Sequence, residues 1–277
     1  YAVKGTDSLY LDHYVSPVSG ERPCMMFVFG GGFVRGTRDH EGYLPYFKFL
    51  NDNGFDVVSI DYRKHLAKGI DTKGLKGAVI TMKNAVEYAA EDMLTATKVV
   101  IDNADRLGID VTKIVACGSS AGAITALQAE NMICNGDARA AQLGEFNYAG
   151  VISFAGAIFS VSGAPKWGQT PCPMMLFHGN ADSNVPYNKA SAMGVGFFGS
   201  KFLTKQFEKM DTDRESHKER NQHDPSVCVR GFCLLIPFCH CPEHKGCHKG
   251  RHCVHLALDG REPECVAETV CKSSYCT

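Results

Sequence analysis

Residues 113–117, Lys-Ile-Val-Ala-Cys, form a short apolar run that leads straight into Gly118-Ser119-Ser120-Ala121-Gly122 and then into the helix-like stretch 123–129. A chain that passes from strand to helix in so few residues has no room for side chains two places before and two places after the bend. The consequence is a serine held strained and exposed. Such a pentapeptide recurs by chance, but here the strand before it and the helix after it are both legible. Ser120 therefore reads as a catalytic nucleophile rather than as part of a structural Gly/Ser turn.

The surrounding pattern is that of an α/β sheet. Residues 25–29, 55–62, 114–117, 150–156 and 174–179 are apolar runs bounded by turn residues, as buried parallel strands are. Residues 8–12 are strand-like. Between the strands, residues 80–107 carry apolar side chains near helical spacing and stop at Gly108, a suitable C-cap. A second helix is expected over residues 190–210. With 277 residues and 44% hydrophobic content, the chain is long enough for one α/β domain with a real core. The expected architecture is a mostly parallel central sheet flanked by helices over residues 1–212, short of its last strand and helix.

Two further motifs sit at compatible positions. Gly30-Gly31-Gly32 directly follows the strand ending at Phe29, and consecutive glycines let backbone N–H groups face one point without side-chain obstruction. Ester hydrolysis needs such donors for the oxyanion of its tetrahedral intermediate. The alternatives are a flexible loop or a phosphate cradle. Asp182, in His178-Gly179-Asn180-Ala181-Asp182, lies beyond the carboxyl end of another apolar strand, the edge where open α/β sheets build their sites. A carboxylate there can orient an imidazole, or it can simply cap the next helix. His178, adjoining its strand, reads as a packed structural histidine.

Taken in order, Phe29-Gly-Gly-Gly-Phe33, Gly118-Ser-Ser120-Ala-Gly122 and His178-Gly-Asn-Ala-Asp182 resemble the α/β-hydrolase superfamily. The likeness is to its carboxylesterase/lipase branch and related bacterial esterases, and it covers residues 1 to about 212. It extends to Asp56-Val-Val-Ser-Ile-Asp-Tyr-Arg63 and to Leu107-Gly-Ile-Asp110. It implies Ser120 as nucleophile, Asp182 as acid, and the amides of Gly31, Gly32 and Ala121 as the oxyanion hole. Phe29 departs from the usual histidine, a change expected to retune packing and leave the glycine amides in place. The resemblance also implies small acyl or carbohydrate-linked esters as substrates, no cofactor or metal, and a secreted or periplasmic setting. The chain starts at Tyr1, so any targeting peptide is expected upstream.

The base is the open position. Such a fold places its histidine past the acid in chain order. His223 lies 41 residues beyond Asp182, but residues 213–222 before it are wholly polar. His240 follows the apolar run 233–238, although Pro237 confines that run to a sheet edge. A third reading is that the chain contains no working base.

Residues 213–277 differ sharply from the rest, holding nine of the thirteen cysteines and seven of the eleven histidines. A zinc module, a disulfide framework and a segment read out of frame or wrongly joined all remain open for them; no C-x-x-C pair occurs. The alternative to an active esterase is thus a catalytically impaired hydrolase-fold protein whose Cys/His tail binds a metal or a partner. Net charge of -1 gives no reason to expect nucleic acid or an anionic membrane as partner, and no stretch is long and apolar enough to span a bilayer. The oligomeric state is left open.

Overall fold

The sheet begins with strands that are buried on both faces. In β4 (Arg22–Val28) the five residues from Cys24 to Val28 are buried, and so is every residue of β5 (Asp56–Ile60). Side chains alternate across a strand, so burial of consecutive residues requires cover on both sheet faces. The computed structural model describes residues 1–69 and 74–218, with side chains described through residue 210. A short hairpin, β1 (Ala2–Lys4) with β2 (Asp7–Leu9), precedes β3 (Leu11–Tyr14). The expected strand over 8–12 is thus broken at Tyr10 and serves two sheets.

The central sheet has six strands in the order β3-β5-β4-β6-β7-β9, where β6 is Ile109–Ser119, β7 is Gly150–Phe154 and β9 is Met174–Phe177. Only β3 runs antiparallel to its neighbour. Helix α1 (Leu44–Asp52) follows the glycine run and packs on β5. Helix α2 (Gly74–Asp102) buries Ala85, Ala89, Ala90, Met93, Ala96 and Val100. The helical pattern of 80–107 is therefore real but starts earlier, breaks at Asn103, and resumes as α3 (Ala104–Leu107). It ends where expected, at Gly108 in the left-handed conformation (φ 68°). Helix α4 (Ala121–Cys134) is buried nearly all round because it lies between the sheet and α2.

The expected helix over 190–210 is corrected. Residues 189–199 form an antiparallel hairpin, β10 (Lys189–Ala192) with β11 (Val195–Gly199), and α5 starts only at Ser200. The glycines explain this. A Cβ on Gly199 would lie 1.8 Å from the Pro186 carbonyl oxygen, and Gly196 has φ 155° with a Cβ position 2.0 Å from the Ala190 oxygen. β11 also pairs with β8 (Ala157–Ser160), giving a separate three-stranded antiparallel sheet. Helix α5 (Ser200–Lys218) continues past residue 212.

The hairpin turn offers a direct test. Met193 and Gly194 both have positive φ (48° and 82°), the arrangement of a type I′ turn, and Met193 is 92% exposed. Met193→Asn supplies the residue that such a turn prefers. It is expected to raise stability by ~0.5 kcal/mol, read as a small increase in urea midpoint at unchanged slope.

At the amino edge of the sheet, opposite the serine, Asp56 is fully buried. Its carboxylate accepts a bidentate pair from Arg22 (Nε to Oδ1 2.7 Å, Nη2 to Oδ2 3.1 Å), the Ser16 amide (2.8 Å) and His13 Nε2 (2.7 Å). Burial pushes this carboxyl upward, but the bonds from Arg22, Ser16 and His13 together outweigh it and hold it below the ordinary range. A depressed carboxyl contributes stability above its unfolded value, and that contribution is lost as pH falls through the folded one. Arg22→Met leaves the buried carboxylate short of its main partner. It is expected to cost about 3 kcal/mol at pH 7 and less below pH ~4, so wild type and variant converge in acid. Chemical denaturation of both across pH checks the convergence.

Candidate active site

Strand β6 ends at Ser119, helix α4 starts at Ala121, and Ser120 alone makes the corner with φ 52° and ψ -118°. A non-glycine residue in this region costs of order 1–3 kcal/mol and persists only where its surroundings over-determine it. They do so here. The Ser120 N–H donates to the Phe154 carbonyl at the end of β7 (2.8 Å), and the Ser120 carbonyl accepts from the Ile124 N–H (2.9 Å). The side chain is half-buried.

Both flanking glycines are sterically required. A Cβ on Gly118 would lie 2.3 Å from the Gly122 carbonyl oxygen, and one on Gly122 would lie 2.0 Å from the Val28 oxygen and 2.7 Å from the Phe29 oxygen. The helix thus starts in contact with the end of β4, which brings the glycine run against the serine. Gly30 shows how near: its Cβ position is 3.3 Å from the Ser120 Cβ and 2.9 Å from the Ser119 oxygen.

The run itself is a tight turn. The Gly31 carbonyl accepts from the amides of Val34 and Arg35 (both 3.1 Å), and Gly31, Gly32 and Phe33 have φ of 132°, 64° and 59°. The Gly30 N–H is already used, donating to the Tyr43 hydroxyl (3.2 Å). Those of Gly31 and Gly32 have no acceptor among the described residues. Beneath the turn Phe29 stacks on Tyr62 (4.6 Å between ring centroids) and Phe33 meets the same ring edge-on (6.0 Å). Phe29 is therefore a packing residue.

Asp182 occupies a half-buried position in the loop after β9, at the same carboxyl edge as Ser120 and the glycine run. Its Oδ1 accepts from the amides of Asn184 (2.8 Å) and Val185 (3.0 Å), so it caps its own turn. Its Oδ2 lies 3.5 Å from His178 Nε2. His178 is buried against Ser200 Oγ (Nδ1, 2.9 Å) and the Val185 carbonyl (Nε2, 3.1 Å), and burial lowers its basicity. Ser120, Gly31, Gly32, Ala121 and Asp182 thus share one sheet edge, whereas His223 and His240 lie outside the described residues. No motif pointed to Tyr43, whose contact with Gly30 depends on how α1 packs.

Aromatic side chains surround the corner. Phe154 stacks on Phe177 (5.1 Å, 17° between planes) and receives the edge of Tyr46 (6.0 Å). Cys117, three residues before Ser120, is fully buried beside the Tyr46 hydroxyl (3.7 Å), and burial pushes its thiol up to about 12. It is no competing nucleophile. Among the described residues no cluster of three or more His, Cys, Asp or Glu side chains could hold a metal ion.

Residues 11–158 match the family model BD-FAE, more than half of the chain. The chain belongs to the BD-FAE family. That family is an α/β-hydrolase-type esterase domain, and the matched region contains β3 through β7 and the start of β8, with both the glycine run and the serine corner. No curated protein matches the sequence significantly. Among solved structures, Thermogutta terrifontis esterase 2 phosphoramylated by tabun is similar over 85% of this chain and 79% of that one, at 21% identity and a TM-score of 0.50. The same esterase phosphonylated by cyclosarin is similar over the same shares, at 22% identity and a TM-score of 0.50. At such identity the likeness is one of fold, and that fold is the mostly parallel sheet with flanking helices expected from the sequence.

Proposed function

We propose that this BD-FAE chain is a serine hydrolase that cleaves carboxylic esters through an acyl-enzyme. The observation that carries the reading is the approach of Gly30 to Ser120, a half-buried residue with a strained backbone, with the unclaimed amides of Gly31 and Gly32 next in the chain. Ser120 Oγ attacks the ester carbonyl carbon while an imidazole takes its proton. The negative charge that develops on the carbonyl oxygen is received by the amides of Gly31, Gly32 and Ala121. The imidazolium returns its proton to the departing alcohol, and the bond from carbonyl carbon to alkoxy oxygen breaks. Water, deprotonated by the same imidazole, then releases the acid and restores Ser120. Asp182 orients the imidazole and stabilises its charged form. Small acyl or carbohydrate-linked esters are the proposed substrates, and the sequence of steps needs no metal or organic cofactor.

His223 is the proposed base and His240 the alternative. Each is replaced by alanine in turn and turnover of a short-chain nitrophenyl ester is measured. The base is identified by a fall of at least ~100-fold. Equal activity in both variants removes both histidines from the mechanism. Absence of turnover in the unaltered chain, together with stoichiometric zinc, favours the impaired hydrolase-fold reading instead.

A further inference from the structure

His178 and Ser200 form a buried polar pair that the proposed chemistry does not use. Nε2 of His178 faces the Val185 carbonyl, which can only accept, so this nitrogen carries the proton. In the neutral ring Nδ1 is then the acceptor, and the Ser200 hydroxyl donates to it. Ser200 is fully buried at the first position of α5, with its backbone carbonyl taking the Thr204 hydroxyl. The imidazole is therefore fixed from one side by a helix start and closes the loop 178–185 from the other. The ring of Tyr187 meets it edge-on at 5.6 Å, and the Tyr187 carbonyl accepts from Lys201 N–H (2.9 Å). Gly199 donates to the Asn188 carbonyl (2.6 Å), so the end of the loop is tied to the same junction of β11 and α5. Asp182 lies inside this closed loop, with Oδ1 on the loop's own amides and Oδ2 3.5 Å from Nε2.

We propose that His178, anchored by Ser200, is the positioning residue that sets the rotamer and height of Asp182 above the sheet edge. The proposal rests on the reading of Asp182 as the acid. His178 never meets the substrate; it acts through the carboxylate. Misplacing a catalytic group by about 1 Å can cost on the order of 100-fold in rate.

The test uses the full chain with His178→Leu, His178→Gln, Ser200→Ala, Asp182→Asn and the double variant H178L/D182N. Turnover and KM for a nitrophenyl ester are measured, together with hydrogen exchange at the Asn184 and Val185 amides. His178→Leu is expected to lower kcat ~10–100-fold with KM changed less than ~3-fold. His178→Gln, whose amide can again donate to the Val185 carbonyl, is expected to recover most of that loss, and Ser200→Ala to lose ~3–10-fold. In the Asp182→Asn background His178→Leu should cost almost nothing more, because both changes remove the same oriented carboxylate. Exchange at Asn184 and Val185 should quicken at least ~10-fold in His178→Leu while the amides of β9 stay protected, a result that does not depend on turnover.

Equal losses from His178→Leu in both backgrounds would overturn the proposal while leaving Asp182 as the acid. So would loop amides that exchange at the wild-type rate, which also decides the matter should His178→Leu turn over poorly for other reasons. If Asp182→Asn leaves an active enzyme unaffected, the acid assignment itself fails and the positioning role goes with it.

Discussion

Ser120→Ala is expected to lower ester turnover by at least ~10,000-fold while leaving the thermal midpoint within ~2 °C of wild type. In the proposed mechanism the activity loss follows from removing the atom that forms the acyl bond. Stability is retained because the corner is held by main-chain bonds, from its amide to Phe154 and from Ile124 to its carbonyl, which alanine keeps. The strain is kept too. Ser120→Gly should therefore be equally inactive but more stable, by about 1 kcal/mol, since glycine adopts φ 52° freely. An inactive but stabilised variant would show that the strain belongs to the function.

Gly122→Ala is the change expected to damage the fold most per atom added. The new methyl would fall 2.0 Å from the Val28 oxygen and 2.5 Å from the Val28 carbonyl carbon, both backbone atoms of a central strand. Neither can swing away as a flexible side chain would. Helix α4 must lift from β4, which opens the contact between Gly30 and the serine corner. The expected cost is about 3 kcal/mol, at the upper end of ordinary overpacking, with turnover falling at least ~100-fold in the fraction that still folds. Urea denaturation and kinetics on the same preparation separate the two effects. Gly32→Ala makes the contrast: its Cβ would meet nothing within 4 Å, leaving only the strain of φ 64°.

The features that could be read from the sequence divide from the rest along a physical line. The serine corner was legible because part of its requirement is local: a chain turning within so few residues sets Gly118 against the Gly122 and Ala123 backbone, although Gly122 itself is confined by the Val28 and Phe29 backbone at the end of β4. The buried strands were legible because two-sided burial leaves unbroken apolar runs, as in 24–28 and 57–58. The hairpin of β10 and β11 was not. Its turn is made by Met193, a residue with no preference for positive φ, and β10 is exposed throughout, so no alternation marks it. Its partner β8 lies some forty residues earlier, a pairing that no local window records. The Tyr43 hydroxyl on Gly30 and the Ser200 hydroxyl on His178 were hidden for the same reason. Both depend on how a later element docks.

The most direct measurement is covalent labelling of the full chain with a fluorophosphonate probe, followed by peptide mapping. The expected result is one equivalent of phosphonate on Ser120, lost entirely in Ser120→Ala. No labelling, or labelling at another serine to the same extent in Ser120→Ala, would contradict the account.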